Sequence, residues 1–411
     1  MKTWLAVVNY YDTVLAATGI LYLSSTGFVS TPTDTPANTV FDPVIKQAAS
    51  MKRDMFASGT TMGRSRVGFG EMILANPDGV LDGWITHAFD GRVLTVYYGE
   101  DTAAFPGGFT TMLVGTMEVP EFTRDEIRIR LRDRQAELDI PFQTTKYAGD
   151  NALPLGLEGV SDLKGKPKPI CYGTTRNISP PMVNTSKLIL ETGVVLSVDA
   201  VYDQGVALTD GGSYASEADL LNNALAPAAG AWKDYPAGGY FRLGSSPAGV
   251  ITADVTQGAT AAARTAGQIF TLVLTRAGKT SADWSAADVT ALDTANSSVL
   301  GWWSGLEETT PAKVLDEICG SVGAWWGVDR LGIFRTKQLV TPAAVDQEVT
   351  FRSPLMDPTT LEAETGNLNS ATIVFDMVKP LEKIPVQDPG HGVPMYRQRI
   401  KYSKNYPVQG P

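Results

Sequence analysis

Residues 238–255, Gly-Gly-Tyr-Phe-Arg-Leu-Gly-Ser-Ser-Pro-Ala-Gly-Val-Ile-Thr-Ala-Asp-Val, constrain this chain more than any other stretch. The paired glycines admit the positive φ of a tight turn, Pro247 blocks helix, and apolar residues alternate with others. The segment therefore predicts a short β-hairpin held in a fixed shape. It carries architecture and no evident reaction chemistry.

The same grammar runs along the whole chain. Forty glycines and 25 prolines against 19% charged residues favour many short strands and turns over long helices. At 411 residues the chain exceeds the size at which one core keeps growing, and 43% hydrophobic residues are ample for several. The expected fold is mainly β with α+β parts, in two to four domains.

A formal charge of −10 and a pI near 4.9 argue against wrapping nucleic acid, because phosphate affinity rests on clustered Lys and Arg. An acidic channel wall would still let DNA slide past. Cys171 and Cys319 are too few and too far apart for a disulfide framework or a metal knuckle. Cys319 falls on the apolar stripe of a predicted helix and reads as a small buried hydrophobe. This usage fits assembly in a reducing cytoplasm. In residues 1–12, Asn9 and Asp12 interrupt the apolar run before it reaches signal-peptide length, so the segment reads as a first strand. No window approaches the 18 apolar residues of a membrane span, and no stable membrane insertion is expected.

Residues 1–152 read as one β-domain with strands near 22–30, 92–98, 109–117 and 126–131. In Glu126-Ile-Arg-Ile-Arg-Leu131 strict alternation places Ile127, Ile129 and Leu131 on a core face, with Arg128 and Arg130 opposite. Residues 70–82 predict a strand and then a turn at Asn76-Pro-Asp-Gly79. Residues 153–280 read as an inserted β-rich module. The two prolines of 164–173 favour an extended, edge-exposed connector. A strand at 195–202 is answered at 206–209, a short helix is expected at 216–225, and 267–276 fits a helix or a buried strand equally. Residues 281–411 read as an α+β domain with a C-terminal extension. Ser285-Ala-Ala-Asp288 is a capping box with Trp284 and Val289 as its staple. Thr310 caps a second helix that opens on Pro311, buries Val314, Leu315, Ile318, Cys319 and Val322, and ends at Gly323. Asp316 lies on the opposite face, where substitution is expected to be tolerated. A hairpin over 324–335 and strands at 348–351 and 371–375 follow.

No constellation supplies catalytic chemistry. His87 and His391 lie in different predicted domains, and no serine sits in a Gly-x-Ser-x-Gly elbow. Four scattered His and Cys residues do not make a zinc set. Asp78 and Asp82 lack the alternating carboxylates and terminal Glu of a calcium loop and read as turn residues. The 44 acids nominate no glycosidase pair. The pairs Trp302-Trp303 and Trp325-Trp326 are each expected to put one ring into a core and one onto a subunit surface, in preference to a sugar platform. Arg124, Arg128, Arg130, Arg132 and Arg134 read as a solvated or salt-bridged strand face. The expectation is a protein without enzyme activity, with no catalytic, cofactor-binding or metal residues.

Five segments in order, 30–38, 70–82, 166–173, 238–255 and 314–335, together resemble a lineage of siphophage tail-tip proteins found in transposable phages, similar to the central hub of contractile tails. The resemblance implies tail-tube-like β-barrels, two per hub subunit, so that a trimer forms a pseudo-sixfold ring around the tail channel. It further implies a virion tail-tip location with roles in host attachment and genome ejection. The implied partners are copies of itself, a distal tail protein, other tail-tip proteins, a central fibre and a tape measure protein, with DNA only in transit. Residues 402–411 end without a closing element, which leads to the expectation of a longer polypeptide. Two other readings remain at this point: a hexameric distal tail protein, or a receptor- or glycan-binding tail module. A wall-degrading enzyme is a third.

Overall fold

Lys2–Asp12 forms a strand whose two faces enter different cores, because its apolar residues run on without the break that a solvent face imposes. Leu5 joins Phe28, Phe41, Phe105 and Phe109, while Ala6 and Val8 join Leu74, Leu94, Ile127 and Ile129. The computed structural model describes residues 1–54, 63–338, 347–350 and 372–375. These fall into two units, Met1–Gln338 and Leu339–Pro411.

Lys2–Asp12 pairs antiparallel with Ala17–Ser24 on one side and Val93–Glu100 on the other, and Thr110–Met117 and Leu131–Arg132 continue that sheet. A second sheet holds Ile45–Gln47, Met72–Ala75, Glu126–Ile129 and Glu121–Phe122. The predicted alternation is observed: Ile127, Ile129 and Leu131 are buried and Arg128 and Arg130 face outward. The chain bends at Arg130, so Glu126–Ile129 pairs with Met72–Ala75 while Leu131–Arg132 pairs with Thr110–Met117. One bent run thus joins the two sheets. At the opposite seam the only ladder contact among the described residues is the parallel bridge Leu23–Asp42, with Ser24 N–H donating to Asp42 O at 2.7 Å and Asp42 N–H to Tyr22 O at 2.9 Å. Pro43 follows and has no N–H to extend the ladder. The closed tube-like barrel implied by the resemblance is therefore not formed; the wall is open at this seam.

Residues 170–304 build two five-stranded sheets with a shared core that includes Ile178, Leu190, Val201, Trp232, Phe241 and Val255. The stretch 238–255 does not form the expected hairpin. Tyr240–Leu243 pairs backwards with Ala231–Tyr235, whereas Ile251–Thr256 lies in the facing sheet between Ser197–Asp203 and Ile170–Ile178. The Gly-Ser-Ser-Pro run crosses between sheets. The connector at 164–173 is exposed only at 164–166; from Ile170 it becomes a buried strand flanked on both sides. The hairpin Ser197–Asp203 with Val206–Ala207 and the short helix Glu217–Leu221 are as expected.

Three helices, Ala266–Arg276, Ala286–Ala295 and Pro311–Ser321, pack with a hairpin around one further core. The ambiguous 267–276 is helical, with Ile269, Phe270, Val273 and Leu274 buried. Ser285 and Thr310 accept hydrogen bonds from the N–H groups of Asp288 and Lys313, and Pro311 occupies the first helical turn, as predicted. Gly323 adopts φ +68° just beyond the helix end. Ala324–Val328 pairs antiparallel with Phe334–Gln338, and Gly63–Arg64 adds a parallel third strand. That third strand covers the outer side of Ala324–Val328. Both Trp325 and Trp326 are buried, contrary to the expected core-and-surface split, because Ala324–Val328 is the central strand. Asp316, expected to be tolerant, accepts hydrogen bonds from Trp326 Nε1 at 2.7 Å and Arg64 Nη2 at 2.9 Å.

Trp302 and Trp303 also depart from expectation. Gly301–Ser304 pairs with Ile170–Ile178 in a wall between two cores, so Trp302 packs beside Tyr172 and Phe142 on one side and Trp303 against the sandwich core on the other. Both rings are half-buried. In the second unit Gln347–Thr350 pairs antiparallel with Thr372–Phe375.

Candidate assembly surface

The turn that joins Lys2–Asp12 to Ala17–Ser24 is apolar where turn chemistry favours Gly, Asn or Ser. Asp12 Oδ1 accepts from Val14 N–H at 2.8 Å and Leu15 N–H at 2.9 Å. The Leu15 amide, opposed by partial desolvation and reinforced by the Val14 amide, holds the Asp12 carboxyl below its ordinary value. Thr13 Oγ1 donates to Thr86 O at 2.6 Å and ties the tip to the 3-10 turn Asp82–Thr86. Val14 and Leu15 are thereby fixed in place at 73% and 74% exposure, with Ile85 at 70% beside Thr86. Burying each such side chain against a partner is worth about 1.5–3 kcal/mol.

A second tip repeats the device. The Asp203 carboxylate accepts from Ala248 N–H at 2.7 Å and Gly249 N–H at 2.9 Å, and Val206 and Val250 stand exposed beside it. Val206–Ala207 is an edge of its sheet, and Thr209–Ser213, exposed at every residue, is an edge of the facing one. Open edges of this kind offer unpaired backbone groups to a neighbour. Neither tip follows from the strand and turn patterns of the sequence; the signal legible there is Val14-Leu15 in a turn directly after Asp12.

The residues weighed for chemistry are dispersed. His87 stacks on Tyr10 at 4.2 Å between ring centroids, and its Nδ1, 3.9 Å from Asp12 Oδ2, has no hydrogen-bond partner among the described residues. His391 lies outside the described residues. Burial pushes the Cys171 thiol up to about 11 and the Cys319 thiol up to about 12, so neither is a ready nucleophile. Asp78 and Asp82 serve the turn: Asp82 accepts from Asn76 Nδ2 at 2.7 Å, and Gly79 takes φ +72°. Among the described residues no group of three or more His, Cys, Asp or Glu could hold a metal ion. The arginine string is salt-bridged as expected, apart from Arg124, which is exposed in a turn. Arg128 lies 3.1 Å from Glu126, Arg130 2.6 Å from Glu71, Arg132 2.6 Å from Asp90 and Arg134 3.0 Å from Glu137. Among the described residues no helix is long and apolar enough to cross a membrane.

No protein-family model and no curated protein matches the chain. Among solved structures, a chain of the virion of the native gene transfer agent (GTA) particle is similar at 13% identity, over 63% of this chain and 79% of that one, with a TM-score of 0.23. A superposition that loose assigns neither fold nor function.

Proposed function

We propose that this chain is a structural component of a phage-like particle, a tail-tip hub subunit that packs beside copies of itself around the tail channel. The observation that carries the reading is the pinned apolar tip: Val14 and Leu15 are held outward by Asp12, which is costly for a monomer and useful at a subunit contact. The ordered set of segments that resembles tail-tip proteins supports the same reading. So does the open two-sheet wall at 1–132, whose edges ring closure by cyclic symmetry would cover. The net charge of −10 suits a channel that DNA passes without sticking.

Sedimentation of the full chain and a symmetry-resolved map of the particle test this. A three-copy ring is expected, and Leu15→Asp should weaken self-association at least about tenfold. A chain that sediments as a monomer, and lies isolated from the tail axis in the map, would remove the reading.

A further inference from the structure

Residues 146–168 form an arm closed on itself by backbone bonds. Tyr147 N–H donates to Lys166 O and Gly165 N–H to Tyr147 O, each at 2.9 Å, while Gly149 N–H reaches Glu158 O and Asn151 N–H reaches Gly159 O, also at 2.9 Å. The arm lays Tyr147, Leu157 and Leu163 on Val183, Ile189, Leu220 and Tyr240 of the sandwich. Side-chain ties add to this contact: Asn151 Nδ2 donates to Val183 O at 2.8 Å, and Asn184 Nδ2 to Gly156 O at 2.9 Å.

Glu191 ends the strand Ile189–Glu191 within this contact and is only 4% exposed. Tyr147, Glu158 and Lys168 face it from the arm, and Tyr240 is its partner on the neighbouring strand. Among the described residues neither Glu191 Oε2 nor the Tyr147 hydroxyl makes a hydrogen bond of full geometry, although the Tyr147 hydroxyl lies near enough to the Glu191 carboxyl to stabilise its ionised form in part. The nearby cation is already committed, since Lys168 Nζ lies 2.5 Å from Glu158 Oε1. Among the described residues no salt bridge reaches Glu191, so its ionised form is a buried anion without a cation of its own, and burial disfavours that form relative to the neutral acid.

We propose that Glu191 is a proton-operated clasp: protonated, it lets the arm lie on the sheet, and ionised, it lifts the arm and uncovers Val183, Ile189 and Leu220. Burial, partly offset by Tyr147 and Lys168, pushes the carboxyl up from an ordinary 4.5 to about 7. The sign follows from linkage. A group whose value is raised in the closed state favours closure below its open-state value, and that preference is lost as pH rises through the closed-state value.

Hydrogen–deuterium exchange on the full chain across pH 4.5 to 8.5, corrected for intrinsic exchange, tests the clasp. The opening equilibrium of the amides of Tyr147, Gly149, Asn151 and Gly165 should rise by up to about tenfold per pH unit towards pH 7 and level off above it. Glu191→Gln should leave the arm closed with no slope. The strand Ile251–Thr256, outside the arm, should show no slope in either protein. The proposal is overturned by an arm whose protection is independent of pH, by a slope retained in Glu191→Gln, or by the same slope in Ile251–Thr256. A slope of opposite sign overturns it too, and assigns control to Glu158, whose value is lowered by Lys168 and the Ala148 amide against desolvation. The wild-type series decides the matter even where the variant does not fold.

Discussion

The indole N–H of Trp326 donates a 2.7 Å hydrogen bond to the carboxylate of Asp316, on the helix that packs over its strand. Arg64 completes the arrangement, pairing with the same carboxylate at 2.9 Å and lying 5.1 Å from the Trp326 ring centroid. A helix, a hairpin and a strand from the N-terminal third are thereby joined at one acid.

Removing that acid leaves the buried indole N–H without its acceptor. Asp316→Ala should cost about 1–3 kcal/mol, and Asp316→Asn, which keeps an acceptor, should cost less. The midpoint of denaturant unfolding followed by tryptophan fluorescence measures both. Equal midpoints for Asp316→Ala and the parent protein would show that the bond contributes nothing.

Leu315 and Ile318 are buried in the helical core, whereas Lys313 on the same helix is exposed. Leu315→Asp places an unpaired charge among apolar side chains and should abolish folding or force the carboxyl neutral. Lys313→Ala should stay within roughly 0.5 kcal/mol. Soluble yield and protease resistance separate the two, and a protease-resistant Leu315→Asp protein would require this core to be redrawn.

Gly173 and Gly301 face each other across a strand pair. A Cβ at Gly173, which adopts φ +69°, would lie 1.8 Å from Leu300 O, and one at Gly301 would lie 1.9 Å from Thr174 O. Neither backbone can yield without parting the strands. Gly173→Ala should therefore destabilise by at least about 1–3 kcal/mol and expose Trp302 and Trp303. Quenching of tryptophan emission by iodide reads that exposure, which should remain unchanged if the two strands can shift together.

His87 contributes a stacked ring to Tyr10, so His87→Ala should cost about 0.5–1.5 kcal/mol and leave particle assembly intact. Thermal unfolding gives the first quantity and particle yield the second. Loss of a hydrolytic turnover in this variant, with folding preserved, would reveal chemistry that the proposed structural role does not include.

Local features were legible in the sequence because they depend on neighbours within a few residues. Strict alternation placed Ile127, Ile129 and Leu131 inward, Thr310-Pro311 started a helix, Ser285 capped another, and Asn76-Pro-Asp-Gly79 turned the chain. Partnership between distant segments decided the rest. Residues 238–255 look like one hairpin because hairpin and crossover share the same turn residues; only packing sends Tyr240–Leu243 and Ile251–Thr256 to different sheets. Asp316 and one ring of the Trp325-Trp326 pair look like surface positions until Gly63–Arg64, more than 250 residues away from Asp316, covers that side. Asp12 and Glu191 are ordinary acids in sequence. Burial and hydrogen bonding, which depend on what folds over a residue, make the first a pin for an apolar tip and leave the second buried with no salt bridge among the described residues.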